Sequence, residues 1–236
     1  MAMMRWVNTA NTSPLPVYGP QGVENVVNGF NMSYGADAIY RNAHHTDMVA
    51  PLSGKGMTAH QFTAPADGEL LTVLEKDGLK VSAFTVDHEP VHPAVGYRFD
   101  YKGRSVVISG DTAKSANLEQ LSKGVDLLVH EALNREMVGI MEAAAKKNNV
   151  KTLAKIFFDI TDYHASPVEV AEIARDAEVG HLMYYHIVPA LVAPGMESLY
   201  LKGVSDTYDG PVTLGEDGAM ISLPANTQAI ISDELL

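Results

Sequence analysis

Ser105-Val106-Val107-Ile108-Ser109-Gly110-Asp111-Thr112 is the stretch on which the fold turns. A short apolar run of this kind reads as a strand buried on both faces. Gly110 permits a tight turn after it. Asp111 is then presented at the strand's C-terminal end, where open layered sheets place their chemistry. Gly-Asp is also ordinary turn chemistry, so the rest of the chain must decide between a turn and a site.

The neighbouring segments read as further strands. Residues 96–101 and 104–109 form a hairpin about Lys102-Gly103, and residues 70–76 and 79–86 form another about Asp77-Gly78. Residues 117–123 make a short helix. Residues 125–130 are a second buried strand, closing in Glu131-Ala132. Residues 136–148 read as a helix with Met137, Ile140, Met141, Ala144 and Ala145 on one face. Ser166-Pro167-Val168-Glu169 is a helix start, with a Ser cap, Pro in the first turn and a Glu completing the capping box. That helix runs to about residue 178. Residues 181–188 are the next strand and carry His186, and the tail with its Asp-Gly turns reads as a final hairpin.

Upstream, residues 5–16 read as an irregular, Pro-rich lead-in. Leu15-Pro16-Val17-Tyr18-Gly19-Pro20 is a strand stopped by Gly-Pro. Val23, Val26, Val27 and Phe30 recur at helical spacing. Residues 37–66 have few apolar anchors and contain Arg41, His44, His45 and His60, so they read as a long surface loop. Strands interleaved with helices in this order indicate mixed sheets covered by helices, an α/β (α+β) class.

At 236 residues, one domain spanning 1–236 is the default. No stretch approaches the roughly 18 apolar residues of a membrane span, and the first residues lack a signal-peptide core. There is no cysteine, so any metal must sit on His, Asp or Glu. The absence of cysteine leaves the compartment open, with the cytoplasm as default. A formal charge of −12 argues against broad attraction to nucleic acid or anionic membrane. Lys146, Lys147, Lys151 and Lys155 make one local basic patch, which reads as a solvated helix face rather than a phosphate tract.

Four strand ends each present a polar group: His88, Asp111, Glu131 and His186. A fifth, His164, sits just before the capped helix. Taken singly, a histidine at a strand end is most often satisfied by backbone. Strand ends of one sheet, however, deliver their side chains to one rim. Imidazole, carboxylate and imidazole form a suitable set for zinc or a similar borderline metal. His130 faces away from Glu131 in an alternating strand and reads as a core or supporting residue, while His92 and His181 carry no site reading.

The blocks Val17-Tyr18-Gly19-Pro20-Gln21-Gly22, His88 through Gly96-Tyr97-Arg98, Ser109-Gly110-Asp111-Thr112, His130-Glu131-Ala132, His164-Ala165-Ser166 and His186 come in a telling order. They resemble metallo-β-lactamase-fold hydrolases, most closely the ribonuclease Z-like branch with its phosphodiesterase and arylsulfatase-like members. The resemblance implies a four-layer αββα sandwich. It implies that His88 and His186 each bind one metal and Asp111 bridges both. It further implies that Glu131 and His164 work together in protonating the leaving group, with attack by a metal-bound hydroxide. Two Zn2+ are implied for a complete site, with Mn2+ or Fe2+ as other candidates. Paired histidines near the substrate mouth suit His44 and His45, with Arg41 beside them, as substrate-binding residues.

The family's His-x-His-x-Asp-His motif is not in this chain. His88, Asp111 and His186 would then leave each metal two protein ligands, where a catalytic zinc takes about three and a water. Weak metal binding, impaired catalysis, missing N-terminal strands and an incomplete domain are the expectations. Exposed sheet edges invite a second chain, so a homodimer is a further expectation. The tight hairpin between Phe99 and Ser109 has no room for the arm of tRNA-processing members. With the acidic charge, it favours a small ester, phosphodiester or sulfate ester over RNA. The alternatives are a ribonuclease Z-type tRNA 3′-end endonuclease and a non-catalytic binding module.

Overall fold

The computed structural model describes residues 1–235, which fall into two compact units, 1–64 and 65–235. The first unit contains α1 (Ala2–Thr9), β1 (Leu15–Gly19), α2 (Val23–Ser33), α3 (Gly35–Val49) and β2 (Met57–Gln61), with β1 and β2 paired in parallel. Its buried apolar residues are few, namely Trp6, Val27, Ala38 and Ala50. Met32 and Met48 are more than four-fifths exposed.

Two expectations are corrected here. The first part of the polar lead-in is helical, up to Thr9, where α1 seats Trp6 in the interior and its indole N–H donates to the Pro51 carbonyl at 2.7 Å. The segment expected to be a loop contains α3 and β2. Only Ala38 of α3 is buried, so the helix has no apolar stripe to read; an Asp37–Arg41 ion pair at 2.7 Å supports it locally. His44 and His45 stand exposed on this helix with their rings 4.5 Å apart, edge to face.

The second unit holds β3 (Leu71–Lys76), β4 (Leu79–Thr85), β5 (Val95–Tyr101), β6 (Arg104–Ile108), α4 (Ala116–Leu121) and β7 (Leu127–Leu133). After these come α5 (Arg135–Lys147), α6 (Lys151–Asp159), α7 (Pro167–Asp176), β8 (Leu182–Val188), α8 (Met196–Tyr200), β9 (Val212–Leu214), β10 (Ala219–Ser222) and β11 (Ile231–Glu234). β3 to β9 lie side by side in chain order as one seven-stranded mixed sheet, and β10 and β11 pair antiparallel near the C-terminus, joined by residues 223–230 rather than by an Asp-Gly turn. The helix expected over 136–148 is α5. Met137 and Ala145 are buried, but Ile140 and Met141 of the expected apolar face are exposed. α6 lies where no helix bounds were given, although Lys151 and Lys155 were read as part of a solvated helix face.

β6 is where the sheet changes direction. It pairs antiparallel with β5 and parallel with β7, which in turn is parallel to β8. β4 is antiparallel to β5 and therefore runs the same way as β6. The C-terminal ends of β4, β6, β7 and β8 thus share one rim. Phe84, Val107, Leu128 and Leu182 from these strands pack with Ile173 and Ala174 of α7 in the main core. Burying such side chains stabilises by roughly 1.5–3 kcal/mol each.

Both hairpin turns follow their sequence. Asp77 and Gly78 have φ of 53° and 82°, and Lys102 and Gly103 have 46° and 75°. Successive positive φ angles are what two-residue hairpin loops require.

Candidate functional site

After β6 the chain must turn sharply, and Gly110 does so at φ 66°. A Cβ there would stand 2.7 Å from the Val95 carbonyl oxygen, so no other residue fits without movement. Asp111 follows, exposed on the rim. Thr112 is buried, and its hydroxyl donates to the Asp87 carbonyl at 3.0 Å. That contact ties the end of the β6 strand to the segment carrying His88.

Glu131 sits on β7 and is completely buried. Its Oε1 accepts the backbone N–H groups of Thr112 and Ala165, each at 3.2 Å. Its Oε2 has no hydrogen-bond partner among the described residues. A buried carboxylate oxygen left open in this way is costly and marks a group kept for another partner. His164 brings Nδ1 to 3.1 Å from Glu131 Oε1, with the imidazole also buried.

His186 is placed by an irregularity in β8. The β7–β8 ladder pairs Glu131 with Tyr185 and Ala132 with Ile187, so His186 is the unpaired residue of a bulge. Its φ is 43°, in the left-handed region that non-glycine residues rarely adopt. Bulges of this kind re-aim a side chain beside a site. Here Nδ1 of His186 comes 3.7 Å from Asp111 Oδ1, with both side chains about half exposed.

The five strand-end and helix-start residues named from the sequence therefore gather on one rim. The ring of His88 is 5.7 Å from that of His164, which is 5.8 Å from that of His186. Ligand atoms of Glu131, His164 and His186 all lie within 4.8 Å of one another and can reach a common metal ion. Imidazole nitrogens and carboxylate oxygens suit a borderline divalent metal, and the open Glu131 Oε2 fits one. Of the expected ligands only His186 belongs to that group; Asp111 stands 3.7 Å from His186, and the His88 ring lies beside His164, while Glu131 and His164, expected to serve proton transfer, are the other two donors. Arg41, His44 and His45 belong to the first unit and are not part of this cluster's described contacts.

The remaining histidines behave as expected. His130 is wholly buried; burial pushes its imidazole below the ordinary value, and Nδ1 lies 2.6 Å from the Glu131 carbonyl oxygen. Nε2 of His181 lies 2.8 Å from the Thr213 hydroxyl.

Two neighbours escaped the sequence reading. Tyr163 packs its ring 4.9 Å from both His88 and His164, and only its adjacency to His164 could have flagged it. Arg135 donates to the carbonyls of Thr161 and His164 at 3.0 and 2.9 Å and pairs with Glu169 at 2.6 Å. Its partners are some thirty residues away, so nothing local announced it.

Comparisons with known proteins agree on the family. The beta-lactamase superfamily domain matches residues 2–187. The chain is 35% identical over 215 residues to ribonuclease Z of Mycobacterium tuberculosis, covering 90% of this chain and 71% of that one. Its fold is similar to that of the metallo-beta-lactamase fold protein YhfI from Bacillus subtilis, with a TM-score of 0.57 at 16% identity over 91% of this chain and 67% of that one. The short form of human tRNase Z follows with a TM-score of 0.50 at 18% identity, covering 87% and 66%. A matched domain over most of the chain, a relative of this identity and a rim of gathered histidines and carboxylates lead to one conclusion. This chain belongs to the metallo-β-lactamase superfamily, is ribonuclease Z-like, and is a hydrolase.

Proposed function

We propose that this chain hydrolyses phosphodiester bonds in RNA, as a ribonuclease Z-type endonuclease. The observation that carries the hydrolytic part is the buried Glu131–His164 pair beside the half-exposed His186–Asp111 pair on one rim. The choice of RNA is supported by the relatives at 35% identity, which are ribonuclease Z proteins.

In this reading His186, Asp111 and His88 would hold the metal, zinc in the first instance, with Glu131 within reach of it. When bound, the metal acts as a Lewis acid on the phosphodiester. The rest falls to the chain. Two backbone N–H groups hold Glu131 Oε1 in place, and the His164 imidazole faces that oxygen with Nδ1 at 3.1 Å. Nε2 of His164 is then the atom left to deliver a proton to the departing oxygen.

A second reading keeps a small ester, phosphodiester or sulfate ester as the substrate. It is favoured by the tight β5–β6 turn at Lys102-Gly103 and by the net charge of −12. One comparison separates the two. The purified chain is assayed on a tRNA precursor with a 3′ trailer, on bis(p-nitrophenyl) phosphate and on an aryl sulfate. Site-specific cleavage of the RNA supports the first reading. Turnover of a small ester with intact RNA supports the second and sinks the first.

A further inference from the structure

Between the two buried members of the site, Glu131 and His164, the chain makes a helical hairpin, α5 and α6, that packs chiefly on itself. Its base is locked to the site. The Asn134 side chain caps α5 by accepting from the Met137 N–H, and Arg135 grips the carbonyls of Thr161 and His164. From that base the 13 residues of α5 extend about 20 Å at 1.5 Å per residue.

The hairpin's charge is unlike that of the rest of the chain. Residues 135–159 carry five Lys or Arg against three Asp or Glu, in a protein of net charge −12. Lys146, Lys151 and Lys155, with Asn149 and Phe158, line a crevice of about 350 Å³ between the two helices. Glu142 also lines it, but its carboxylate is engaged by Lys146. Lys155 pairs with Asp159, whereas Lys147 and Lys151 make no ion pair among the described residues. Phe158 is 63% exposed at the same crevice. Cations beside an exposed aromatic ring are what single-stranded nucleic acid uses, phosphates on the former and a base stacked on the latter.

We infer that the α5–α6 hairpin is an RNA-docking arm, holding the substrate's phosphates on Lys146, Lys147, Lys151 and Lys155 and stacking a base on Phe158, a helix length from the cleavage rim. This rests on the RNA reading of the site. It gives that reading an anion-binding surface which the overall charge does not supply.

The test measures anisotropy of a fluorescent tRNA precursor on the full chain across a salt series. The Lys147→Glu/Lys151→Glu double variant is compared with a charge-matched control, Lys76→Glu/Lys80→Glu, on β3 and β4. The double variant is expected to weaken binding at least about tenfold and to reduce the slope of log affinity against log salt by about 1.5, near 0.7 per lost phosphate contact. Phe158→Ala is expected to weaken it about tenfold through lost stacking. The control should bind like the parent. Parent-like binding by the double variant overturns the docking arm, and RNA cleavage by the parent would leave the proposed activity standing. Equal loss in the control shows a bulk charge effect and also overturns it. Selective loss of binding to phosphatidylserine vesicles, with RNA binding intact, assigns the patch to a membrane surface and rejects RNA. If the parent neither binds nor cleaves RNA, the RNA reading fails, and the arm with it.

Discussion

His164 Nδ1 and Glu131 Oε1 face each other at 3.1 Å, both side chains shut away from solvent. The carboxylate accepts from Thr112 and Ala165, which lie on either side of the site, so it joins the end of β6 to the start of α7. Glu131→Gln keeps an acceptor for those two N–H groups while removing the charge that orients the imidazole. Turnover should fall by about 10²–10⁴-fold, with the denaturation midpoint close to that of the parent. Steady-state kinetics alongside thermal unfolding checks this. Full activity in the variant would remove Glu131 from the chemistry.

His186 holds a left-handed conformation that costs an ordinary residue roughly 1–2 kcal/mol. Its side chain is half exposed, and its nearby groups are Asp111 and the rings of His164 and Tyr185 on the rim. His186→Gly should therefore leave the metal-free protein at least as stable as the parent, while metal affinity drops by tenfold or more. Opposite movements of the unfolding midpoint and the metal titration are the signature of strain retained for function. A variant that loses stability and keeps its metal affinity would show that His186 is structural.

Much of this site was readable because it rests on strand ends. The apolar run before Gly110 and Asp111 and the run before Glu131 mark strands, and parallel neighbours deliver their ends to one rim. The helix at Ser166 was readable from its cap: Ser166 accepts from the Glu169 N–H and Glu169 accepts from the Ser166 N–H. Elements whose support is not hydrophobic were not readable. α3 buries only Ala38 and shows no apolar stripe, whereas α6 carries Leu153, Ile156 and Phe157 at helical spacing, a signal that went unread, although it buries only Ala154. The pairing of Glu131 with His164 was given only by the family resemblance, since two helices separate them in sequence, and the bulge that aims His186 leaves no trace in composition. Distance and strain come from the tertiary structure alone.

Glu169 couples fold stability to pH. Burial alone would raise its carboxyl, but hydrogen bonds from Ser166 and from Arg135 outweigh it and hold the group below its ordinary value of about 4.5. A depressed carboxyl contributes stability that is complete above the unfolded-state value and is lost as pH falls through the folded one. Thermal midpoints measured from pH 7 down to pH 3 should therefore decline below about pH 4.5. Glu169→Gln should flatten that decline while lowering the plateau at neutral pH. An identical acid limb in the variant would place the coupling elsewhere.

Metal stoichiometry bears on how complete the site is. The rim offers His88, Asp111, Glu131, His164 and His186, and no His-x-His-x-Asp-His motif occurs in the sequence. A catalytic zinc takes about three protein ligands and keeps one position open. Five donors, two of them in a buried pair already facing each other, fall short of two such ions. Desalted protein should therefore retain fewer than two metal ions per chain and lose them to a mild chelator without unfolding, because the core of Phe84, Val107 and Ile173 does not depend on the rim. Asp111→Ala should weaken the remaining binding at least tenfold, since it removes a carboxylate placed 3.7 Å from His186. Elemental analysis with far-ultraviolet circular dichroism before and after chelation decides the matter. Two tightly held ions per chain would mean that the retained donors suffice, and that this rim carries a complete dinuclear centre.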